Sequence, residues 1–206
     1  LLVSKRKCDS ILEDYKTLTE QNSEYVKFLG PQPVSMGLEM LNPDNPHNIL
    51  KGYVVTEKAD GIRAQLLIAY SECYLITQKL EVIDTGLKCE NITGMWLFDG
   101  EYITKNKDGD EIKLYLIFDI YWRNNEIVHN KPWKIEGECR SALIDDFKEL
   151  MKDGLTFNDE VIMIDIKEYL YGSMTNIDDK DKKYMTEVSK IFRSCNLILN
   201  KKDKNL

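Results

Sequence analysis

The sequence predicts a domain of the α+β class. Its 206 residues are enough to bury a core, and 43% of them are hydrophobic and 10% aromatic, as expected of a globular protein. Short β-prone segments follow one another through the middle of the chain, and helical patterns occur near both ends. Because neither an internal repeat nor a low-complexity linker interrupts them, one domain is the simplest organisation.

The N-terminal residues carry the pattern of an amphipathic helix. Asp9 or Ser10 can act as the N-cap, and apolar residues recur at helical spacing up to about Phe28. Gly30 and the prolines that follow it would end this helix. The predicted apolar face consists of Ile11, Leu12, Tyr15, Leu18, Tyr25, Val26 and Leu29.

Alternating and apolar runs predict the strands of the sheet. They lie near residues 52–58, 62–70, 73–78, 95–104, 112–121 and 160–167. The sequence Asn106-Lys-Asp-Gly109 indicates the turn between the fourth and the fifth of them. Two further helices are predicted near 138–153 and 178–195, and the apolar stripe of the second favours core packing over an interaction surface.

Charge and cysteine content argue against several classes of protein. The net charge of −7 is unlike that of a broad electrostatic binder of nucleic acid, so any RNA contact must be local. The five cysteines show no Cys-x-x-Cys pair and the two histidines form no cluster, so we expect reduced thiols and no structural zinc. No apolar run approaches the roughly 18 residues of a membrane span.

The most informative stretch is Lys58-Ala-Asp-Gly-Ile-Arg63, which follows the β-prone residues 53–57 and so predicts a lysine at a strand end. An amine attacks a phosphate only when it is unprotonated, and a nearby cation such as Arg63 can lower the pKa of a catalytic lysine. Gly61 allows close backbone approach to a ligand, and Asp60 can hold the turn. On these residues alone, an exposed turn with solvated charges is an equally good interpretation.

The pattern Lys-x-Asp-Gly-x-Arg resembles the nucleophile motif of the covalent nucleotidyltransferases, which include mRNA capping guanylyltransferases and ATP-dependent DNA and RNA ligases. Two later segments resemble further family motifs in the family's order. Trp96-Leu-Phe-Asp-Gly-Glu-Tyr102 is similar to the Asp-Gly-Glu strand, and Leu114-Tyr-Leu-Ile-Phe-Asp-Ile-Tyr121 to the strand with an aromatic residue beside an aspartate. The resemblance covers roughly residues 30–200, and the ordered set is much harder to obtain by chance than one motif.

Within this superfamily the motifs look most like those of the guanylyltransferase domain of mRNA capping enzymes of large cytoplasmic DNA viruses. Many DNA ligases carry Glu where this chain has Thr56. Tyr74-Leu-Ile-Thr77 resembles the capping-enzyme strand after the nucleophile, although the acidic and basic pair often found next is Thr77-Gln78 here.

The resemblance implies an α+β nucleotidyltransferase domain with mainly antiparallel sheets and flanking helices. Residues 1–30 would form an N-terminal helical segment and residues 31–200 the catalytic core. The OB-fold lid of the family has no convincing counterpart before Leu206, so residues 1–206 are expected to be a domain fragment.

The resemblance also implies roles for single residues. Lys58 would attack the α-phosphate of GTP and form a lysyl-GMP, from which GMP passes to the 5′-diphosphate end of RNA. Arg63 and Glu101 would contact the ribose and Phe118 would stack on the base, with Tyr115 and Tyr121 as rivals. The implied nucleotide-binding residues are Thr56, Glu57, Asp60, Gly61, Arg63, Glu101 and Phe118.

A divalent cation is implied as well, because phosphoryl transfer develops charge that Mg²⁺ or Mn²⁺ stabilises. Glu101 and Asp119 would be its ligands, although Asp119 can instead hold its strand. Asp99-Gly100 can be merely a bulge or turn.

Two other functions stay open at this point: an ATP-dependent ligase adenylation domain, and a non-catalytic docking domain. The family further implies flanking triphosphatase, OB-fold and methyltransferase domains in the same polypeptide. It implies no membrane association and a cytoplasmic location, in a virus factory or virion if the source is viral.

Overall fold

A computed structural model describes residues 3–49, 53–56, 58–106, 108–134, 137–157 and 162–171. The chain divides into two compact units, a sheet unit of residues 1–30 and 59–166 and a small unit of residues 31–58 and 167–206. The elements, in chain order, are α1 (Lys5–Leu18), a 3-10 helix (Leu38–Leu41), β1 (Val54–Val55), β2 (Ile62–Ala69), β3 (Glu72–Thr77), β4 (Val82–Cys89), β5 (Trp96–Lys105), β6 (Glu111–Arg123), β7 (Glu126–Ile127), α2 (Arg140–Gly154), β8 (Leu155–Phe157), β9 (Met163–Ile166) and β10 (Leu170–Tyr171).

Helix α1 starts earlier and ends earlier than the sequence predicted. Ser4 is its N-cap and accepts a 3.4 Å hydrogen bond from the backbone N–H of Lys7. The predicted continuation to Phe28 is wrong, because Thr19 donates its hydroxyl to the carbonyl of Tyr15 at 2.6 Å and Glu20 adopts a φ of 52°. A left-handed residue directly after the last turn leads the chain out of the helix.

The sheet unit is built on an eight-stranded sheet in the order β7-β6-β5-β2-β3-β4-β8, with β9 pairing alongside β6. Only the β6–β9 pair is parallel among the described strands, so the predicted mainly antiparallel sheet is confirmed. Strand β2 is central, and its register places Arg63 opposite Glu101 and Gln65 opposite Asp99 on β5. The predicted turn at 106–109 joins β5 to β6, with Gly109 N–H donating to Asn106 at 3.1 Å.

Strand β4 was not predicted. Gly86 has a φ of 74°, and the pairing of β3 with β4 shifts register between Glu72 and Tyr74. Asp84 accepts a hydrogen bond of 2.8 Å from Gly86 N–H. Such a bulge breaks the alternation by which a strand is read from sequence. The short strands β7, β8 and β10 were also missed.

Both faces of the sheet are covered, which explains the almost continuously apolar β2. On one face α2 contributes Leu143, Ile144 and Phe147 to a core with Phe98, and the rings of Phe98 and Phe147 lie 4.4 Å apart. On the other face, α1 packs Ile11, Tyr15 and Leu18 against side chains that include Leu67, Ile76 and Leu97. The predicted α+β class with flanking helices is therefore confirmed.

The small unit contains the strand pair β1 and β10, with Val54 opposite Tyr171. The hydroxyl of Thr56 donates to the carbonyl of Glu168 at 2.7 Å. Thr56 and Lys58 lie outside β1, so the prediction of a strand that runs to Lys58 is wrong. Glu57 and the predicted helix 178–195 lie outside the described residues. No helix in the described ranges is long and apolar enough to cross a membrane.

Candidate active site

The lysine motif connects the two units. Lys58 is the last residue of the small unit's first segment, residues 31–58, and Ala59 is the first residue of the sheet unit's second segment. Lys58 and Asp60 are both exposed, and β2 starts directly afterwards at Ile62. The amine thus belongs to the small unit, and the rest of the motif, from Ala59 onward, belongs to the sheet unit.

Gly61 is held against the second motif. Its backbone N–H donates to Glu101 Oε1 at 3.2 Å. A Cβ at this position would lie 2.5 Å from the carbonyl oxygen of Tyr102 and 2.9 Å from Glu101 Cγ. Because the nearer obstacle is the backbone of β5, only glycine fits here without movement of the strand.

Gly100 of the second motif also lies too close to a neighbouring strand, here β6, for a side chain to fit. A Cβ there would lie 2.5 Å from the carbonyl oxygen of Leu116 and 2.5 Å from the ring of Tyr115. The glycines of the two Asp-Gly pairs therefore allow β2, β5 and β6 to pack closely at the candidate site.

Asp99 is the hub of a buried network. Its side chain is fully buried and accepts from Arg63 Nε at 3.2 Å and from Arg63 Nη2 at 2.5 Å. Tyr121 donates its hydroxyl to the same Oδ2 atom at 2.5 Å, and Gly100 N–H donates to Oδ1 at 3.1 Å. Asp99 was not among the predicted site residues. The missed signal was a carboxylate in an apolar strand, which needs a cation when buried.

Arg63 is held in a defined position by these contacts. Its hydrogen bonds to Asp99 raise the pKa of the guanidinium, against the opposite effect of burial. The Phe28 ring lies 5.6 Å from the guanidinium carbon, within the range of a cation–π contact. Only 14% of the Arg63 side chain remains exposed.

Glu101 lies on β5 directly opposite Arg63 and is half-buried. Side chains two residues apart on a strand share a face, so Glu101 projects to the same face as Asp99. The structure therefore brings three of the predicted residues together, namely Gly61, Arg63 and Glu101.

Phe118 is the extra residue of a bulge in β6. Asp99 pairs with Asp119 and Gly100 with Ile117, so the register of the two strands shifts by one residue at Phe118. It is half-buried. The rival Tyr115 is fully buried and donates its hydroxyl to the carbonyl of Ala64 at 2.8 Å, so its polar end is used inside the fold.

Asp119 is paired with Arg140, the first residue of α2. Arg140 Nε donates to Oδ1 at 2.8 Å and Nη2 to Oδ2 at 3.3 Å. Ile120 N–H adds a hydrogen bond of 2.8 Å. Burial raises the pKa of the Asp119 carboxyl in spite of these donors. Arg140 also donates to the carbonyl of Lys131 at 2.6 Å. Through Asp119 it links β6 to the start of α2. Arg140 was not among the predicted site residues.

A family model described as the catalytic domain of mRNA capping enzyme matches residues 4–204. The chain belongs to the mRNA capping enzyme catalytic domain family. A comparison with curated protein sequences finds no significant match. Members of this family are nucleotidyltransferases, so the chain is an RNA guanylyltransferase domain with GTP and RNA as its substrates.

Membership of the capping family favours guanylyl transfer over the two alternatives, ligase adenylation and non-catalytic docking. In this guanylyltransferase domain, Gly61, Arg63 and Glu101 lie together, and Phe118 and Asp119 lie on the neighbouring β6. Within the described ranges, no three side chains of His, Cys, Asp or Glu are grouped so that they could hold a metal ion.

Proposed function

We propose that the guanylyltransferase reaction of this domain proceeds through a covalent lysyl-GMP on Lys58. The observation that supports it is the anchoring of the Lys-Ala-Asp-Gly-Ile-Arg motif. Gly61 is held by Glu101, and Arg63 is held by Asp99, directly after an exposed lysine. A fixed frame that follows an exposed amine in the chain suits a nucleophile that serves two successive transfers.

The reaction takes place in two half-reactions, in which GMP passes first to Lys58 and then to RNA. In the first, the lone pair of Lys58 Nζ forms a bond to the α-phosphorus of GTP, the bond to the bridging oxygen breaks, and pyrophosphate leaves while the amine loses a proton. In the second, a terminal oxygen of the RNA 5′-diphosphate attacks the same phosphorus. The P–N bond breaks, and Lys58 regains its proton.

The sheet residues would bind the nucleotide. Arg63 and Glu101 face each other across β2 and β5, and we assign them to the ribose. We assign base stacking to Phe118, because the rings of Tyr115 and Tyr121 are buried in the fold whereas Phe118 is only half-buried. Thr56, Glu57, Asp60 and Gly61 complete the proposed nucleotide-binding set.

Magnesium, or manganese, would stabilise the charge that develops on the phosphates. Mg²⁺ is commonly bound by one or two carboxylates together with substrate phosphates, so a half-buried Glu101 fits such an ion. Asp119 stays a predicted second ligand. Its two oxygens already accept from Arg140, so a metal would have to compete with that ion pair.

Labelling tests the proposal directly. The protein is incubated with magnesium and α-labelled GTP or ATP and analysed on a denaturing gel. We expect a GTP-derived adduct that survives alkali and is cleaved by acid, as a phosphoramidate is. Lys58→Ala and Lys58→Arg should abolish it, since a guanidinium is not deprotonated in proteins. Lys79→Arg, at another exposed lysine, is the matched control and should label normally. A labelled Lys58→Ala protein, or an adduct from ATP alone, contradicts the proposal.

We further propose that the domain comes from a capping enzyme of a large cytoplasmic DNA virus that acts in the cytoplasm, in a virus factory or the virion. Triphosphatase, OB-fold and methyltransferase domains would flank it in the same polypeptide. The residues and spacing of the motifs that contain Lys58, Glu101 and Phe118 support this origin. Sequencing of the complete gene tests it, and a gene that encodes none of these domains would contradict the proposal.

A further inference from the structure

We propose that Tyr121 and Tyr15 are positioning residues that fix the Arg63 guanidinium for nucleotide binding. The inference rests on the proposed role of Arg63 as a nucleotide-binding residue. Neither tyrosine is itself assigned to contact the substrate; both act through Arg63.

Tyr121 acts from the side of Asp99. The hydroxyl of Tyr121 and Nη2 of Arg63 share one carboxylate oxygen, Asp99 Oδ2, each at 2.5 Å. Asp99 is fully buried, so water does not compete for that oxygen. The phenol therefore fixes the carboxylate on which the guanidinium is seated.

The backbone is built to place Tyr121 there. Leu97 pairs with Trp122 and Phe98 with Ile120, so Tyr121 is the extra residue of a second bulge in β6. Tyr121 and Trp122 both join the core against α1, whereas regular alternation would send them to opposite faces. The irregular strand thus brings a phenol to the Arg63 side of the sheet.

Tyr15 acts through the segment that follows α1. Its hydroxyl donates to Gln65 Oε1 at 2.6 Å and accepts from Leu29 N–H at 2.9 Å. Gln65 Nε2 in turn donates to the carbonyl of Leu29. Tyr15 and Gln65 are fully buried, so the backbone of Leu29 is held through both its N–H and its C=O.

The backbone around Leu29 lies close to the Arg63 guanidinium. Gly30 follows Leu29, and a Cβ at Gly30 would lie 2.6 Å from Arg63 Nη2 and 3.4 Å from the Tyr121 hydroxyl. The ring of Phe28 lies 5.6 Å from the guanidinium carbon. Residues 28–30, set by Tyr15, therefore limit the space in which the guanidinium can move.

An ordered arginine binds a ligand with less loss of side-chain freedom than a mobile one. Loss of either tyrosine hydroxyl should then weaken nucleotide binding, and only when Arg63 is present. A purely structural role predicts something different, namely a less stable protein whose folded molecules bind the nucleotide normally.

A double-mutant cycle separates the two roles. The readout is the Kd of a GTP analogue with a methylene bridge between the α- and β-phosphorus, which cannot transfer its nucleotide. Variants of the full chain are Tyr121→Phe, Tyr15→Phe and Arg63→Ala, with each tyrosine variant also combined with Arg63→Ala. The matched control is Tyr25→Phe, at a tyrosine that is 73% exposed.

We expect Tyr121→Phe and Tyr15→Phe each to raise the Kd about 3- to 10-fold. Such a change corresponds to the net free energy of roughly one hydrogen bond. In the Arg63→Ala background the same changes should alter the Kd less than about 2-fold, because coupled residues are not additive. Tyr25→Phe should leave the Kd unchanged.

The inference is overturned if the tyrosine changes leave the Kd of the folded protein unaltered, or raise it equally with and without Arg63. An Arg63→Ala protein with wild-type Kd overturns it too. Should Tyr15→Phe fail to fold, the Tyr121→Phe arm decides the matter. Because the analogue forms no adduct, a failure of Lys58 labelling leaves this test intact, and the two failures can be told apart.

Discussion

Replacement of Tyr15 by phenylalanine tests the packing of α1 on the sheet. The change removes only a hydroxyl, which donates to Gln65 at 2.6 Å and accepts from Leu29 N–H at 2.9 Å. Gln65 is fully buried, so its amide oxygen has no access to water. A buried polar group left without its partner costs about 1–3 kcal/mol. The Leu29 N–H contact is only partly buried and should add about 1 kcal/mol, so the expected loss is about 2–4 kcal/mol.

Titration of the same hydroxyl should make the free energy of unfolding depend on pH. Burial raises the pKa of Tyr15 to about 12, whereas an unfolded tyrosine titrates near pH 10. A raised pKa contributes stability that is complete below the unfolded pKa and is lost as the pH rises through the folded one. By pH 11, wild type should therefore have lost about 1.4 kcal/mol that Tyr15→Phe never had.

Urea denaturation at pH 7 and at pH 11 measures both effects. The stability gap between wild type and Tyr15→Phe should be about 2–4 kcal/mol at pH 7 and smaller by about 1.4 kcal/mol at pH 11. Other buried tyrosines are present in both proteins and cancel in the difference. The control Tyr25→Phe should stay within about 0.5 kcal/mol of wild type at either pH. A Tyr15→Phe protein as stable as wild type, or a stability gap that widens at pH 11, would show that the Tyr15 hydroxyl does not stabilise the fold in this way.

Further substitutions test other contacts, each by urea denaturation. Gly61→Ala should cost about 1–3 kcal/mol, because its Cβ would lie 2.5 Å from a β5 carbonyl, and an unchanged midpoint would contradict this. Arg140→Ala should cost about 3 kcal/mol by leaving Asp119, whose side chain is only 17% exposed, without its cation. The loss should shrink in acid as that carboxyl protonates, and a loss independent of pH would count against the ion pair. Lys7→Met breaks an exposed 2.8 Å bridge to Glu72 and should cost no more than about 1 kcal/mol. Since Lys7 lowers the pKa of Glu72, that cost should vanish as the pH falls below the ordinary carboxyl range, and its persistence in acid would contradict the assignment.

The sequence predicted the strands that carry motifs better than those that do not. β2, β5 and β6 combine apolar runs with functional residues, and their observed bounds lie close to the predicted ones. β4 was missed because Gly86, in a left-handed conformation, breaks the alternation. Helix α1 was extended too far because apolar spacing continues past Leu18, whereas the helix end is decided by Thr19 and Glu20.

The site residues that belong to a sequence motif could be predicted. The residues whose contacts depend on pairing between distant parts of the chain could not. Gly61, Arg63 and Glu101 were identified from their motifs, and the register of β2 with β5 brings them together. The ion pair between Arg63 and Asp99 depends on that same register, which no local sequence pattern reveals. Arg140 binds Asp119 from another element, so their pairing could not be read from the sequence.

The most direct test of the central claim is the site of the covalent adduct. Protein labelled with GTP and magnesium is digested under alkaline conditions, and the peptides are analysed by mass spectrometry. We expect one modified peptide, which contains Lys58 and carries the mass of a single GMP on its lysine nitrogen. Modification of a different lysine, or no covalent nucleotide on a protein that binds GTP, would contradict it.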